Sequence, residues 1–201
     1  MQDQIEKFSY IPDNQNNDDL KKDKKYKIAN IFLIAIIAIL IVFIIVFSTA
    51  FTTMTVSGDS MYPNLKDGDK LFLQKYGYSL SYGDMIVFPR NDNGKKIYAV
   101  KRIIAMGGDT LKFDFENKNW IVNGKVLDEP YFATGYDEFY FEHDSVYTQE
   151  DLFVTGITIP KGYLFVLGDN RNIPNGGISV DSHIYGPISS EEVFGKVIKV
   201  Y

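Results

Sequence analysis

The hydrophobic pattern of the chain changes character twice. From Ile31 to Phe47 every residue is Ile, Leu, Val, Phe or Ala, so no helical spacing leaves a polar face. With Ile28, Ala29 and Asn30 ahead and Ser48 to Phe51 behind, the run reaches the length of a bilayer-spanning helix, which takes about 20 mostly apolar residues at about 1.5 Å each. A helix packed on one side against a domain core would keep a polar stripe. A cleaved secretory signal competes, because Ser48-Thr49-Ala50 supplies small residues. However, the run exceeds the usual signal core of about 7–15 residues, and a 27-residue polar segment precedes it. The pattern therefore predicts a polar tail over 1–27 without fixed structure, a transmembrane helix over 28–51 and an exported domain over 52–201.

Beyond Thr52 the period shortens to that of strands. Lys70 to Tyr76 alternates roughly. Asp84 to Phe88 follows the turn signal Tyr82-Gly83 and is expected to end at Pro89. Asn91-Asp92-Asn93-Gly94 reads as a hairpin turn leading into Tyr98-Ala99-Val100-Lys101-Arg102-Ile103-Ile104. Gly107-Gly108-Asp109 ends that strand. Thr110 to Phe115, Trp120 to Val122 before an Asn123-Gly124 turn, Gly162 to Leu167 and Val193 to Tyr201 complete the set. Few windows carry a helical period, so the exported part reads as mainly β. The stretch of about 110–160 is richer in aromatic and acidic residues, among them Tyr131, Phe132, Tyr136, Phe139, Tyr140 and Phe141. It reads as an insert or elaborate loop, its aromatics serving ordinary packing.

Charge sets the orientation. Lys21, Lys22, Lys24, Lys25 and Lys27 crowd the N-terminal flank of the apolar run, and no Lys or Arg follows it until Lys66. Positive flanks stay cytoplasmic, which places the N-terminus inside and the large domain outside the plasma membrane. The same lysines suit anionic lipid headgroups. A net charge of −5 argues against general nucleic-acid binding. The absence of cysteine excludes a thiol nucleophile and thiolate metal sites. With His143 and His183 as the only histidines, neither a histidine zinc site nor a Ser-His-Asp triad is supported. No metal, nucleotide or other cofactor is implied.

The candidate chemistry lies in three phrases. Val56-Ser57-Gly58-Asp59-Ser60-Met61-Tyr62-Pro63-Asn64-Leu65 sets Ser60 in a turn between Gly58 and Pro63. Lys101 sits in an apolar strand, sharing one face with Ala99 and Ile103, while Val100, Arg102 and Ile104 share the other. Burial there lowers a lysine pKa, so a neutral amine is able to deprotonate Ser60 and later protonate a leaving amine. The Ser60 N–H is a natural oxyanion donor beside the permissive Gly58; Ser57 or a neighbouring amide would supply the second. Taken singly, a turn serine is usually a solvated loop residue and a strand lysine a surface charge. The joint pattern changes that balance. Further on stand Gly168-Asp169-Asn170-Arg171 and Ser179-Val180-Asp181-Ser182.

This combination resembles the type I signal peptidases, in order: the apolar anchor, residues 57–65, Gly-Asp-Met-Ile-Val-Phe (83–88), Val-Lys-Arg-Ile-Ile (100–104) with Gly108-Asp109, then residues 168–171 and 179–182. The resemblance spans 28–201 but places no motif between 110 and 160. It implies a signal-peptidase-like antiparallel β catalytic domain on one N-terminal transmembrane helix. Ser60 is then the nucleophile, Lys101 the general base and Ser179 the residue that orients the lysine. Gly58, Met61, Pro63, Arg102, Gly168, Asp169, Asn170, Arg171 and Asp181 support the site. Gly58 stands where some members carry an oxyanion serine. Three positions and one gap depart from the family pattern. Asn64 replaces a usual threonine, and Gly107 replaces a proline. The gap from Arg171 to Ser179 is lengthened by 172–178, and His183 replaces the arginine expected after Asp-Ser. Loss of that arginine leaves Asp181 in need of a partner, for which Arg102 is one candidate.

The implied activity is removal of signal peptides from exported preproteins by a Ser/Lys endopeptidase. The peptide would lie extended along a strand edge, with small residues at the first and third positions before the cut. The alternatives are a self-cleaving repressor relative, which the anchor disfavours, and a catalytically inactive or non-enzymatic membrane-anchored peptide-binding protein of the same fold.

Overall fold

The computed structural model describes residues 14–92, 94–131, 146–148, 150–171 and 180–201, and the chain divides into two compact units, Met1–Ser48 and Thr49–Tyr201. The first is helical: α1 runs Asn14–Ala50 without a Gly or Pro to stop it. Helix therefore begins well inside the polar flank that was expected to lack structure. Lys21 to Lys27 are fair helix formers and extend a helix that the apolar run has already nucleated. The part from Leu20 to Ala50 is long and apolar enough to cross a membrane.

The second unit is mainly antiparallel β, as its alternating pattern requires. A seven-stranded sheet has the order β1-β2-β11-β3-β4-β9-β10, built from β1 (Phe51–Thr55), β2 (Lys70–Gln74), β3 (Met85–Asp92), β4 (Lys95–Met106), β9 (Tyr163–Leu167), β10 (Ile188–Ser189) and β11 (Gly195–Val200). A second sheet of order β7-β6-β5-β8 comes from β5 (Thr110–Asp114), β6 (Asn119–Val122), β7 (Lys125–Val126) and β8 (Ile157–Thr158). The expected insert thus has a sheet of its own. Asn123 and Gly124 make its tight β6–β7 turn, both with positive φ (52° and 75°), as a two-residue hairpin demands.

One boundary differs from expectation. Pro89 does not end β3, which continues to Asp92 with Pro89 opposite Tyr98. β11 pairs with β3 only at Ile86 and Val87. Past that point β3 is an edge, where a residue lacking an N–H is tolerated.

Three apolar clusters hold the unit together. Leu71, Leu73, Val87 and Val197 pack with Val56, Met61 and Leu65 of the serine turn. Ile86, Phe88, Ile103, Leu164, Val166 and Ile188 fill the opposite side of β3 and β4. Leu111, Phe113, Trp120 and Val122 of the second sheet meet Ile104, Phe165 and Leu167 of the first. Trp120 lies between Phe113 and Phe165 at centroid separations of 5.0 and 5.5 Å. Packing is thus the role of the described insert aromatics, with Tyr131 an exception treated below; Phe132, Tyr136, Phe139, Tyr140 and Phe141 lie outside the described residues.

Gly107 accounts for one departure from the family pattern. A Cβ there would stand 2.8 Å from the Gly162 nitrogen and the Pro160 oxygen. The β4–β5 turn runs so close to that loop that a proline ring does not fit without backbone movement.

Candidate active site

The serine phrase forms a compact turn between β1 and β2. The Tyr62 N–H donates to the Asp59 carbonyl and the Leu65 N–H to the Met61 carbonyl. Gly58 has φ 88°, and its N–H donates to Asp67 Oδ1 at 2.8 Å. A side chain at 58 would meet no steric obstacle but would be strained by that φ. Met61 and Leu65 anchor the turn in the core. Among the described residues no backbone acceptor takes the Ser60 N–H, which leaves it available as a donor.

Lys101 lies mid-strand in β4, opposite Ile86. The face pattern expected for it is present: Ala99 and Ile103 belong to one apolar cluster and Val100 to the other. Lys101 is 3% exposed. Burial pushes its amine below the ordinary lysine value; Asp181 and Asp169 oppose this shift, while Arg90 and Arg171 add to it. Ser60 and Lys101 line one cavity of about 240 Å³, together with Ser57, Met54, Val56 and Val180.

The dipeptide Asp169-Asn170 fastens the serine turn to the lysine strand. The Asn170 N–H donates to the Ser60 carbonyl and its Nδ2 to the Asp59 carbonyl, each at 3.0 Å. Asp169 receives a two-point fork from Arg102, Nε to Oδ1 at 2.7 Å and Nη2 to Oδ2 at 2.5 Å, and accepts from Asn64 Nδ2 at 3.0 Å. Arg102 also donates to the Gly83 carbonyl. Burial pushes the Asp169 carboxyl up, whereas Arg102 and Asn64 hold it down; the fork geometry calls for the carboxylate. Asn64 therefore has a definite role as a tether to Asp169 and, at 2.7 Å, to the Tyr131 carbonyl. Arg171 donates to the Gly168 carbonyl and pairs with Glu129.

Asp181 is the second buried carboxylate. It accepts from the Gly168 N–H at 3.1 Å and from the His183 N–H, caps the short helix α2 (Ser182–Tyr185) and contacts His183 Nδ1. Burial alone would raise its pKa, but His183, Lys101 and the Gly168 N–H bring it below the usual carboxylate value. Arg102 is thus not the partner of Asp181: its guanidinium is committed to Asp169, and His183 occupies the place left by the missing arginine. Ser179 lies outside the described residues, as does 172–178.

Sequence reasoning missed three contributors. His183 was visible only as a departure from the motif. Glu129 and Tyr131 come from the insert, where no motif pointed to them; Tyr131 places its ring 3.9 Å from the Arg102 guanidinium and its hydroxyl on Glu129.

The family model for "Signal peptidase, peptidase S26" matches residues 28–201. The chain belongs to this signal peptidase family. Signal peptidase IB of Staphylococcus aureus strain Mu50 is 36% identical over 163 residues, covering 73% of this chain and 75% of that protein. Signal peptidase I of Bacillus amyloliquefaciens is 34% identical over 128 residues, 60% of each. A crystal structure of a signal peptidase I from Enterococcus faecalis V583 shares 28% identity at TM-score 0.42, covering 61% of this chain and 98% of that one.

The His183–Asp181 pair yields a prediction particular to this family member. Asp181 favours the Lys101 ammonium. His183→Ala removes a partner from Asp181 and leaves more of its charge to act on Lys101, which raises the lysine pKa. The rate profile should shift to higher pH in His183→Ala and return toward wild type in His183→Arg. A profile identical in all three proteins would show that Asp181 and Lys101 are not coupled in this way.

Proposed function

We propose that this family member is a membrane-bound serine endopeptidase that removes N-terminal signal peptides from exported preproteins, with Ser60 as nucleophile and Lys101 as general base. The observation that carries this reading is the shared cleft: a turn serine and a buried, easily neutralised lysine line the same cavity. Neutral Lys101 takes the Ser60 proton as Oγ adds to the scissile carbonyl. The Ser60 N–H holds the developing oxyanion, with Ser57 or a neighbouring amide as second donor. The lysine ammonium then protonates the departing amine, leaving an acyl-enzyme, and a water deprotonated by Lys101 hydrolyses it. Ser179 would orient the lysine; its neighbour Val180 lines the cleft. Gly58, Met61, Pro63, Arg102, Gly168, Asp169, Asn170, Arg171 and Asp181 brace the two reacting residues.

Along Lys95–Lys101, β4 has β3 on one side and no strand on the other among the described residues, since β9 pairs only from Arg102 onward. An extended peptide is able to add there. Its first and third residues before the cut would enter the apolar side lined by Met54, Val56, Leu71, Val87 and Val100. We place 1–27 in the cytoplasm, a span over 28–51 and the catalytic domain, 52–201, outside the plasma membrane. The lysines of the inner flank would contact lipid headgroups. The anchor raises the effective concentration of catalyst and emerging preprotein.

The deciding experiment incubates the full chain with a preprotein in detergent and maps the cut by mass. Cleavage after a small-x-small triplet supports the proposal; a bound but intact preprotein would support the inactive peptide-binding alternative. The pH dependence has a definite sign. Lys101 is a base only when neutral, so kcat/KM should rise as pH passes upward through its lowered pKa. Activity would begin below the ordinary lysine range and persist at alkaline pH; an acidic optimum would exclude Lys101 as the base.

A further inference from the structure

The cleft contains a cation that neither donates nor accepts a proton in this chemistry, although it helps lower the Lys101 amine. Arg90 lines the same cavity as Ser60 and Lys101 and is half-buried. Its guanidinium lies 5.4 Å from the centroid of the Tyr185 ring. Among the described residues no carboxylate forms an ion pair with it, the pairs near the site being Arg102–Asp169, Arg171–Glu129 and His183–Asp181. The Tyr185 hydroxyl beneath it is buried and also lacks a hydrogen-bond partner among the described residues. A partly desolvated guanidinium that lines a cleft without a counter-ion is a poor packing choice but a good receptor for an anion.

Register fixes which part of a substrate would meet it. Arg90 pairs with Ile97, Phe88 with Ala99 and Ile86 with Lys101, so these six residues share one face of β3 and β4. Val87 and Val100 share the other, on the side of the apolar pockets. A peptide extending the sheet at β4 points alternate side chains to opposite faces. If its first and third residues before the cut enter the apolar side, its second and fourth face Ala99, Ile97 and Arg90. Ile97 lies four residues from Lys101 along β4, about 13 Å at strand rise, which matches the fourth residue rather than the second.

We propose that Arg90 is a specificity-determining residue that selects peptides carrying a carboxylate side chain at the fourth position before the cut. This inference rests on the peptidase reading above and adds to it an electrostatic rule beside the small-x-small rule. Lys101, the other cation on this face, is neutral in the working enzyme. Asp181 lies close enough to act on Lys101 but is already held by His183 and the Gly168 N–H, and would not serve as counter-ion for Arg90.

The test is a peptide series with alanine at the first and third positions and Glu, Gln or Lys at the fourth, cleaved by the full chain in detergent at low salt. Wild type should rank Glu over Gln over Lys, with about a tenfold span between the charged peptides, mainly in KM and compressed by salt. Arg90→Glu should invert the order. Arg90→Gln should flatten it, and guards against a folding failure of the charge reversal. Any change that Arg90 variants cause in the basicity of Lys101 affects all three peptides alike and cancels in the ranking. The proposal is overturned if wild type cuts all three peptides equally or if the order survives Arg90→Glu. If none of the peptides is cut by wild type, the peptidase reading fails and this rule falls with it.

Discussion

On the proposed mechanism Ser60→Ala and Lys101→Met should each reduce preprotein cleavage to background, a loss of about six orders of magnitude, the scale on which nucleophile removal acts in a well-studied serine protease. The two effects should not add, because nucleophile and base act in one proton transfer and either loss abolishes it. Methionine suits position 101 because it keeps the length of the lysine stem within an almost fully buried site while removing the amine. The Lys101→Met domain should therefore melt at or above the wild-type temperature, since the folded chain no longer has to desolvate an ammonium. Lys101→Arg should be just as inactive, because a guanidinium does not give up its proton in the relevant range. The measurement is single-turnover cleavage in detergent alongside thermal melting of each variant. Substantial cleavage by Lys101→Met would remove the lysine from the mechanism. Retained peptide binding with no cleavage in either the variants or wild type would point to a binding protein.

The strands, and the setting of Ser60 in a turn and Lys101 in an apolar strand, were legible in the sequence because both rest on local regularities. Alternation located β2, β3, β4, β9 and β11, and Asn123-Gly124 announced its own turn. Burial of Lys101 followed from the apolar residues on either side of it. What remained hidden was pairwise and long-range. Nothing in Arg102-Ile103 or Gly168-Asp169 says which carboxylate the arginine takes, because Asp169 and Asp181 are chemically alike and only strand register separates them. Arg102 sits opposite Leu167, two residues before Asp169, and so reaches Asp169 and not Asp181. The end of β3 was misjudged because proline reads as a breaker unless the strand is known to be an edge at that point. The polar start of α1 was misread because composition does not show that an adjoining apolar helix will propagate through it. Asn64 and His183 were seen as departures from a motif, and each proves to be a partner of a buried carboxylate.

Asp169→Ala should destabilise the catalytic domain by about 3–5 kcal/mol, the usual cost of stranding one half of a buried ion pair. For a domain of this size that corresponds to a fall in Tm of roughly 10 °C, at about 2–4 °C per kcal/mol. The physical reason is the partner left behind: the Arg102 side chain is 9% exposed, keeps its charge at every accessible pH, and would retain only the Gly83 carbonyl and the Tyr131 ring as company. Replacing both members with apolar residues, Arg102→Met with Asp169→Leu, should recover much of the lost stability, because neither charge then has to be desolvated. Activity should not recover with it. Asn64 loses one of its two acceptors in the double variant, keeping only the Tyr131 carbonyl, and the stretch that presents Asn170 to the Ser60 and Asp59 carbonyls is no longer pinned to β4. Thermal melting and cleavage should therefore separate: a stable double variant with kcat reduced by about a hundredfold, the scale on which misplacing a reacting group slows catalysis. If stability and activity recover together, the Arg102–Asp169 pair is only a structural brace. If neither recovers, the loss comes from packing around Tyr131 rather than from the stranded charge.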